Sequence, residues 1–371
     1  MNPVNHTILT INGGSSGIKY ALYEAGDTFK LLFSGEVEFC DRDNPVDFLL
    51  NELEKQNHFD TVKAVGHRIV HGMKHTEAQL ITPELLKDLK NISAYDPEHL
   101  PGEIKLIEAF AKRLPTIPQV ACFDTAFHTS MPTVAKLLPI PRRFQKEGIQ
   151  RYGFHGLSYA YLLKELERIS GKETAHGKII FAHLGNGASL AAVNAGKSMD
   201  TTMGFTPASG IPMGTRSGDL DPGVAWYLMQ FEKLTPKEFS HLVNHESGLL
   251  GISETSSDMR ELSEIQNTDS RAAEAIQLFC YQTKKHIGSF AAVLGGLETL
   301  VFSGGIGEHS PEVRSMICDG LQFLGIELDQ IKNLNNAAVI SADASKVCVR
   351  VIKTNEELMI AKIAYDVLNG A

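Results

Sequence analysis

The feature that most constrains the fold is one pattern that occurs twice. ILTINGGSSGIKYALYE (8–24) and IIFAHLGNGASLAAVNAG (179–196) each place a glycine-rich turn, with a serine and an asparagine, between two apolar stretches of strand length. A tight hairpin explains such a turn, because glycine tolerates positive φ. A phosphate-binding loop explains it as well, because small residues let backbone N–H groups approach an anion. The repetition predicts two domains of like construction that face each other across a cleft.

Length and charge narrow the possible classes. With 371 residues, the chain exceeds the range in which a single core keeps growing, so two domains are expected. The Pro-rich, charged segment LLPIPRRFQKEG (137–148) is the best candidate boundary. The net charge of −9 argues against nucleic acid or an anionic membrane as the main partner. Because the net charge of the chain is negative, any anion that it binds must be held by basic or N–H groups within the binding site.

The location and the redox state follow from two further features. The start, MNPVNHTILTING, lacks a signal-peptide pattern, and no apolar run approaches the roughly 20 residues that span a bilayer. We therefore expect a cytoplasmic protein with no membrane partner. The cysteines are odd in number and far apart, so we expect buried thiols rather than disulfides or a zinc site. They are Cys40, Cys122, Cys280, Cys318 and Cys348.

Strand and helix patterns alternate along the chain, which predicts an α/β fold. The predicted strands are TILTI, IKYALYE, KLLFSGEVEF, VKAVGHRIV, PQVACFD, KIIFAHL, ASLAAVNAG, TLVFSGG and VCVRVIK. The predicted helices are DFLLNELEKQ, PGEIKLIEAFAKRL, SYAYLLKELERI, PKEFSHLVNH, RAAEAIQLFCYQTKKHIGSFAAVL and NEELMIAKIAYDVL.

Familiar phosphate and metal motifs do not account for the turns. The sequence contains no GxxxxGK[ST], which excludes a Walker loop. GGIGEHS (304–310) lacks the third glycine of a dinucleotide fingerprint. His71 and His75 are four residues apart, but HGMKH lacks the glutamate of HExxH, so a metal pair is not favoured.

Five segments crowd polar residues against glycine. Singly, an arginine beside glycine is most often a solvated loop residue, and a histidine beside phenylalanine is most often a core polar group. Together they supply two guanidinium groups, an imidazole and a carboxylate with no shared structural task. The segments are GHRIVHG with Arg68, CFDTAFH with Asp124, RYGFHGLS with His155, MGTRSGDLDPG with Arg216, and SGGIGEHSPEVR (303–314).

These segments resemble the acetate kinase family, the short-chain carboxylate kinases of the acetate kinase, sugar kinase, Hsp70 and actin superfamily. The resemblance covers essentially the whole chain and implies two ribonuclease H-like domains that close on a nucleotide in an interdomain cleft. It implies transfer of a phosphoryl group from ATP to a short carboxylate, acetate first and propionate second. The motifs, in the family's order, are NGGSSGIK, GHRIVHG, FDTAFH, RYGFHG, HLGNGAS, MGTRSGDLDPG, SGLLGIS, SSDMR, FSGGIGEHSPEVR and TNEEL.

The resemblance also implies roles for single residues. Arg68 and Arg216 match the arginines that bind the carboxylate and the transferring phosphoryl group, tasks that suit the planar guanidinium fork. His155 matches the histidine beside that group, and Asp124 matches the catalytic aspartate. The residues that match the magnesium site, where Mn²⁺ is a possible substitute, are Asn12 and Glu356.

The resemblance also implies which residues form the nucleotide site and which line the acyl pocket. The intact nucleotide motifs favour ATP over pyrophosphate as the donor. Their residues are Ser15, Ser16, Lys19, His183, Asn186, Gly187, Asp258, Met259, Arg260, Gly305, Ile306 and Gly307. The acyl pocket is matched by Val70, Phe154 and Pro207.

The chain departs from the family pattern near the substrates. Gly17 stands where the family usually has a third serine, and Glu98 replaces a pocket leucine, which leaves a polar-substituted short acid open. The other departures are Leu100, Tyr159, Ala208 and Ser209. Two other classes stay open. One is a sugar kinase, although paired arginines fit a carboxylate better than a hydroxyl. The other is a catalytically weak nucleotide-binding protein.

The same resemblance implies the domain limits and the assembly. We expect an N-terminal domain of residues 1–148 plus 357–371 and a C-terminal domain of residues 149–356. Glu356 would then lie at the hinge. Family members are homodimers through the second domain, and we expect the same here.

Overall fold

The computed structural model describes residues 6–14, 17–26, 28–38 and 45–370. The chain divides into two compact units. The first unit comprises Met1–Phe127, Gly156–Tyr161 and Asn355–Ala371, and the second comprises His128–His155 and Leu162–Thr354. The domain limits expected from the sequence differ from these units mainly over 128–148, and they stay a prediction.

The first unit contains a six-stranded sheet in the order β3-β2-β1-β4-β6-β5. β1, β2 and β3 are antiparallel neighbours, β4 and β6 run parallel to β1, and β5 is antiparallel to β6. The strands are β1 (His6–Gly13), β2 (Gly17–Ala25), β3 (Lys30–Glu38), β4 (Val62–Ile69), β5 (Gln79–Leu80) and β6 (Gln119–Phe123).

The second unit repeats this arrangement. Its five-stranded sheet has the order β9-β8-β7-β10-β11, with three antiparallel strands followed by two parallel ones. The like construction predicted from the repeated pattern is therefore observed, with both glycine-rich turns joining the first two strands of a sheet. The strands are β7 (Ile179–Leu184), β8 (Ala188–Asn194), β9 (Lys197–Thr201), β10 (Thr299–Ser303) and β11 (Cys348–Val351).

The helices follow the predicted alternation. All six predicted helices and all nine predicted strands occur, whereas the short β5, the polar β9 and several helices, among them those over 83–92 and 222–231, were not predicted. The helices are α1 (Pro45–Glu54), α2 (Pro83–Ile92), α3 (Leu100–Arg113), α4 (Thr133–Lys136), α5 (Arg142–Lys146), α6 (Gly156–Ala175), α7 (Pro222–Phe231), α8 (Pro236–His245), α9 (Gly248–Ser253), α10 (Met259–Ile265), α11 (Ser270–Leu294), α12 (Gly304–His309), α13 (Pro311–Cys318), α14 (Gln330–Leu334) and α15 (Glu356–Leu368).

Helices cover both faces of the first sheet, as alternation along β1 requires. Ile8 faces the C-terminal helix α15, where it joins a cluster with Ile360 and Ala364. Leu9 and Ile11 face the other side, where they pack with α1 and α3. Both faces of β1 are therefore covered by helices.

Most of the cysteines are buried, as predicted. Cys122, Cys280 and Cys318 are buried free thiols, and Cys348 is half-buried. Burial raises the pKa of Cys280 and Cys318 to about 12, which keeps both thiols protonated. Cys40 lies outside the described residues.

No helix in the part of the chain that the structure describes is both long enough and apolar enough to cross a membrane.

Close contact between β4 and α15 requires glycine at position 66. A Cβ at Gly66 would lie 2.6 Å from Ile360 Cγ2 and 3.3 Å from Ala364 Cβ. We predict that Gly66→Ala lowers the stability of the protein by about 1–3 kcal/mol, because the added methyl group overpacks this contact. Gly102→Ala is the matched control, since a Cβ there meets nothing within 4 Å and alanine favours the helix. Urea unfolding of both variants checks this, and equal midpoints would contradict it.

Candidate active site

The guanidinium of Arg68, on β4, is bound by groups at the ends of the two neighbouring strands, β1 and β6. Its Nε and Nη2 donate to Asp124 Oδ2 at 2.9 and 2.6 Å, and its Nη1 donates to the Gly13 carbonyl at 2.9 Å and to Asn12 Oδ1 at 3.3 Å. The parallel ends of β1, β4 and β6 bring these residues together, because Asp124 N–H donates to the Ile69 carbonyl at 2.9 Å. The predicted Arg68, Asp124 and Asn12 therefore meet at one sheet edge.

The ion pair of Arg68 and Asp124 is buried, so water screens its charges only weakly. The Asp124 side chain is fully buried, and the Arg68 side chain is 13% exposed. Burial raises the pKa of Asp124, with Glu356 adding to the rise, while Arg68 and the Leu157 amide oppose it. Burial lowers the pKa of Arg68, but the carboxylates of Asp124 and Glu356 outweigh this and leave that pKa above its usual value. The guanidinium therefore stays charged.

Two further carboxylates reach the same edge from α15. Asn12 Nδ2 donates to Glu356 Oε2 at 2.9 Å and to Glu357 Oε1 at 3.0 Å. The predicted metal pair, Asn12 and Glu356, is thus in direct contact. The carboxylate oxygens of Glu356 and Glu357 are hard donors that fit Mg²⁺, which commonly binds one or two carboxylates and takes its other ligands from water and phosphate. Among the described residues no group of three or more His, Cys, Asp or Glu could hold a metal by itself.

One buried carboxyl at this edge was missed by the sequence analysis. Glu103 in α3 is 4% exposed and accepts the Val70 N–H at 3.1 and 3.2 Å from its two oxygens. Val70, a predicted acyl-pocket residue, follows Arg68 by two positions and is 1% exposed. The available signal was the position of Glu103 on the apolar face of α3, between Leu100 and Ile107.

The second unit holds His155 in a strained conformation. His155 has φ 58° and ψ 23°, a left-handed backbone conformation that residues other than glycine rarely adopt. A ring nitrogen, Nδ1, is 2.9 Å from Ser189 Oγ, and the ring stacks on His183 with 4.4 Å between centroids. Strain of this kind clusters at functional sites, where the surrounding contacts maintain it.

His155 and Arg216 lie beside the same glycine turn. A Cβ at Gly187 would be 3.2 Å from His155 Nε2 and 3.7 Å from Arg216 Nη1. Arg216 Nη1 also donates to the Pro207 carbonyl at 3.2 Å. The predicted His155, Gly187, Arg216 and Pro207 therefore form one cluster.

The buried His128 fixes the segment that carries His155. Its Nε2 must be protonated because it lies 3.0 Å from the Phe154 carbonyl, and its Nδ1 then accepts from Ser198 Oγ at 2.9 Å. Phe154, predicted for the acyl pocket, is 1% exposed. Burial lowers the pKa of His128 to about 4, against a smaller opposing effect of the Phe154 carbonyl.

The predicted nucleotide residues of the second unit are neighbours. A Cβ at Gly185 would lie 3.8 Å from Gly305 N and 3.9 Å from His183 Nε2, so the β7–β8 turn adjoins the start of α12, which contains Gly305, Ile306 and Gly307. A Cβ at Gly214 would meet both Asn186 Oδ1 and the Ser257 carbonyl, at 2.3 and 3.1 Å.

The start of α10 continues this group. Asp258 caps the helix by accepting Arg260 N–H at 2.8 Å, and Met259 between them is 3% exposed. In the first unit, Lys19 is exposed and pairs in register with Asn12. Ser15 and Ser16 lie outside the described residues.

The structure explains several of the residues that depart from the family pattern. Glu98 is exposed, so its side chain is directed to solvent. A Cβ at Gly17 would meet the Val37 carbonyl at 2.6 Å, so only glycine fits there. Tyr159 is fully buried against Phe127 at 5.8 Å between rings. Ser209 Oγ accepts Gly204 N–H at 2.7 Å, which is a loop contact.

Comparison with known proteins identifies relatives over the whole chain. A family model described as the acetokinase family matches residues 7–362. An acetate kinase of Rhodopseudomonas palustris is 40% identical over 398 aligned positions, with 99% of this chain and 100% of the relative covered. The crystal structure of the Porphyromonas gingivalis acetate kinase matches with a TM-score of 0.87 at 38% identity, covering 98% of this chain and 100% of the other. That of a propionate kinase from Francisella tularensis gives 0.88 at 36%, with the same coverage. The predicted α/β fold with the two domains of actin-like ATPases is confirmed.

Because His128 is neutral in the folded protein, we predict that the protein loses stability as the pH falls. Its pKa falls from 6.5 when exposed to about 4 when folded, so it contributes about 3 kcal/mol of stability above pH 6.5 that is lost as the pH falls towards 4. We predict that His128→Gln is less stable at pH 7 but loses less stability than the wild type between pH 6.5 and 4.5. Urea unfolding across this range measures it, with the exposed His241→Gln as control. Parallel losses in all three proteins would contradict the assignment.

Proposed function

Because the chain belongs to the acetokinase family, we propose that it transfers the γ-phosphoryl group of ATP to acetate, giving acetyl phosphate and ADP in a reversible reaction. The observation that carries this proposal is the family match across residues 7–362. A cytoplasmic location is part of the proposal, because ATP is the co-substrate.

The reaction needs no general base. An acetate oxygen attacks the γ-phosphorus in line, the new P–O bond forms, and the bond to the β-phosphate oxygen breaks as ADP leaves with the electron pair. Acetate is already ionised at pH 7, so no proton has to be removed from it. We therefore assign to Asp124 the task of holding Arg68 rather than that of a base, which its two hydrogen bonds to the guanidinium support.

The main task is to bring two anions together. We assign Arg68 to the acetate carboxylate, since Asp124, Gly13 and Asn12 fix the orientation of a guanidinium that keeps its positive charge. We assign Arg216 and His155 to the transferring phosphoryl group, whose oxygens carry the charge in the transition state.

Asn12 and Glu356 are assigned to Mg²⁺ or Mn²⁺, which when bound offsets the charge of the phosphate oxygens. The carboxylate oxygens of Glu356 and the neighbouring Glu357, both held by the Asn12 amide, support this assignment. For ATP, we assign the backbone N–H groups of Gly187 and Gly305 and the side chain of Asn186 to the phosphates. Lys19, Ser15 and Ser16 belong to the same proposal, and Asp258, Met259, Arg260, Ile306 and Gly307 are assigned to adenosine.

Acetate is the acid we propose, with Val70, Phe154 and Pro207 around its methyl group. The exposed position of Glu98 removes the repulsion that a buried carboxylate there would cause. Propionate is the second candidate, favoured by the similarity at a TM-score of 0.88 to a protein titled propionate kinase.

The proposal predicts a direct product. Incubated with Mg-ATP, hydroxylamine and single acids, the protein should yield the hydroxamate of acetate, less of that of propionate and little of that of butyrate. The hydroxamate is measured as its coloured iron complex, with acid-free and ATP-free mixtures as controls. If no acid gives product while ATP still binds, the protein is a nucleotide-binding relative without kinase activity.

Arginine variants test the charge assignment in the same assay. Arg68→Ala and Arg216→Ala should each lower turnover by about 10³-fold, because the clamp on the two anions is lost. The affinity for ATP, measured by calorimetry, should change little. The exposed Arg142→Ala is the matched control. A loss below tenfold in either site variant would refute its assignment.

We also propose a homodimer formed through the second unit. α7 has no buried residue and exposes Trp226, Tyr227 and Phe231 at 62, 52 and 60%. Contiguous exposed aromatic side chains of this kind mark protein interfaces.

The single tryptophan gives this proposal a spectroscopic test. Trp226 is the only tryptophan in the sequence, so its emission should shift to longer wavelength on dilution as the dimer dissociates. Trp226→Glu should sediment as a monomer, because a charge cannot be buried unpaired. Phe323→Glu, at a site 77% exposed on another segment, should leave the mass of the wild type unchanged. A monomeric wild type at micromolar concentration would exclude the dimer.

A further inference from the structure

A buried carboxyl with no role in the proposed reaction lies next to the acetate-binding arginine. Glu103 is in the first turns of α3 and is 4% exposed. The N–H group that it accepts belongs to Val70, the first residue after β4. This N–H lies beyond the sheet ladder, so the carboxyl supplies the partner that a buried amide needs.

We propose that Glu103 is a positioning residue for the acetate site, which holds the segment from Arg68 to Val70 and sets how much of the charge of Arg68 is left for the substrate. This inference rests on the proposed function. It adds a residue of α3 to a site otherwise built from strand ends and α15.

The first part of the argument is geometric. Two hydrogen bonds of 3.1 and 3.2 Å join the Val70 amide to Glu103. α3 itself is anchored to β4 and β6, because Leu100, Ile104 and Ile107 pack with Ile69 and Phe123. Glu103 thus connects a fixed helix to the residue two positions beyond Arg68.

The second part concerns charge. Asp96, just before α3, is 3% exposed; its Oδ1 is 2.9 Å from His99 Nδ1, and its Oδ2 has no hydrogen-bond partner. Burial and the nearby Asp96 raise the pKa of Glu103 well above its ordinary value; Asp124 adds to the rise, while Arg68 and the Val70 amide oppose it. Glu356 on α15 faces Arg68 from the other side.

The consequence is a pH-dependent affinity for the acid. Neutral Glu103 adds no negative charge beside Arg68, so the guanidinium attracts acetate. When the pH rises and Glu103 ionises, a second carboxylate competes with acetate for the same cation and repels it. The KM for acetate should rise, whereas the nucleotide, which is assigned elsewhere, should be unaffected.

Two variants separate the roles. Glu103→Gln keeps an oxygen acceptor for the Val70 amide but cannot ionise. Glu103→Leu removes the acceptor and leaves a buried N–H unpaired. The matched control is Glu108→Gln, an exposed residue on the same helix.

The experiment measures kcat and both KM values from pH 6 to 9 for the wild type and each variant. We expect the wild-type KM for acetate to rise with pH, because the ionised Glu103 repels the like charge of acetate, and that of Glu103→Gln to change less than about twofold. Glu108→Gln should follow the wild type. Glu103→Leu should raise the acetate KM about tenfold at every pH, with the ATP KM unchanged.

The outcomes distinguish this inference from the proposed function. If the wild type makes no acyl phosphate from any acid, the kinase proposal fails first. If the wild type is active and Glu103→Gln has the same pH profile, or if Glu103→Leu has a wild-type KM, the role of Glu103 is refuted. Should Glu103→Leu fail to fold, the profile of Glu103→Gln still decides.

Discussion

The ion pair of Arg68 with Asp124 is the interaction on which the chemistry of the first unit depends. It places one guanidinium among several carboxylates at an edge where β1, β4 and β6 end. Without the guanidinium, the buried Asp124 would carry an uncompensated charge, a situation that costs several kcal/mol. The pair therefore sets both the stability of the edge and the orientation of the guanidinium.

The two units use one topology for different electrostatic purposes. In the first, strand ends collect carboxylates around Arg68. In the second, His155 and Arg216 lie beside Gly187 of the glycine turn that follows β7. Bare backbone amides and cationic side chains suit phosphate oxygens, whereas carboxylate and amide oxygens suit a metal ion.

Much of this could be predicted from the sequence, and the gaps have physical causes. The long apolar strands and several amphipathic helices could be predicted, because the buried face of each element sets the spacing of its apolar residues in the sequence. β9 was missed because KSMDT is short and polar, and α7 because its apolar side chains are exposed rather than in a core stripe. Motif residues such as Arg68 and Asp124 were identified through the resemblance. Glu103 was not, because its role depends on a contact between α3 and β4 that no local pattern encodes.

The discontinuity of the first unit has a consequence for its synthesis. α15 covers the sheet face that contains Ile8, Ala64 and Cys122, and it follows the whole second unit in the sequence. The ribosome therefore makes α15 after the second unit, so the first unit to be started is the last to close its core. The second unit can complete its sheet earlier, while the apolar face of the first remains open to water and to chaperones. The unit whose synthesis begins first is thus expected to be the one that finishes folding last.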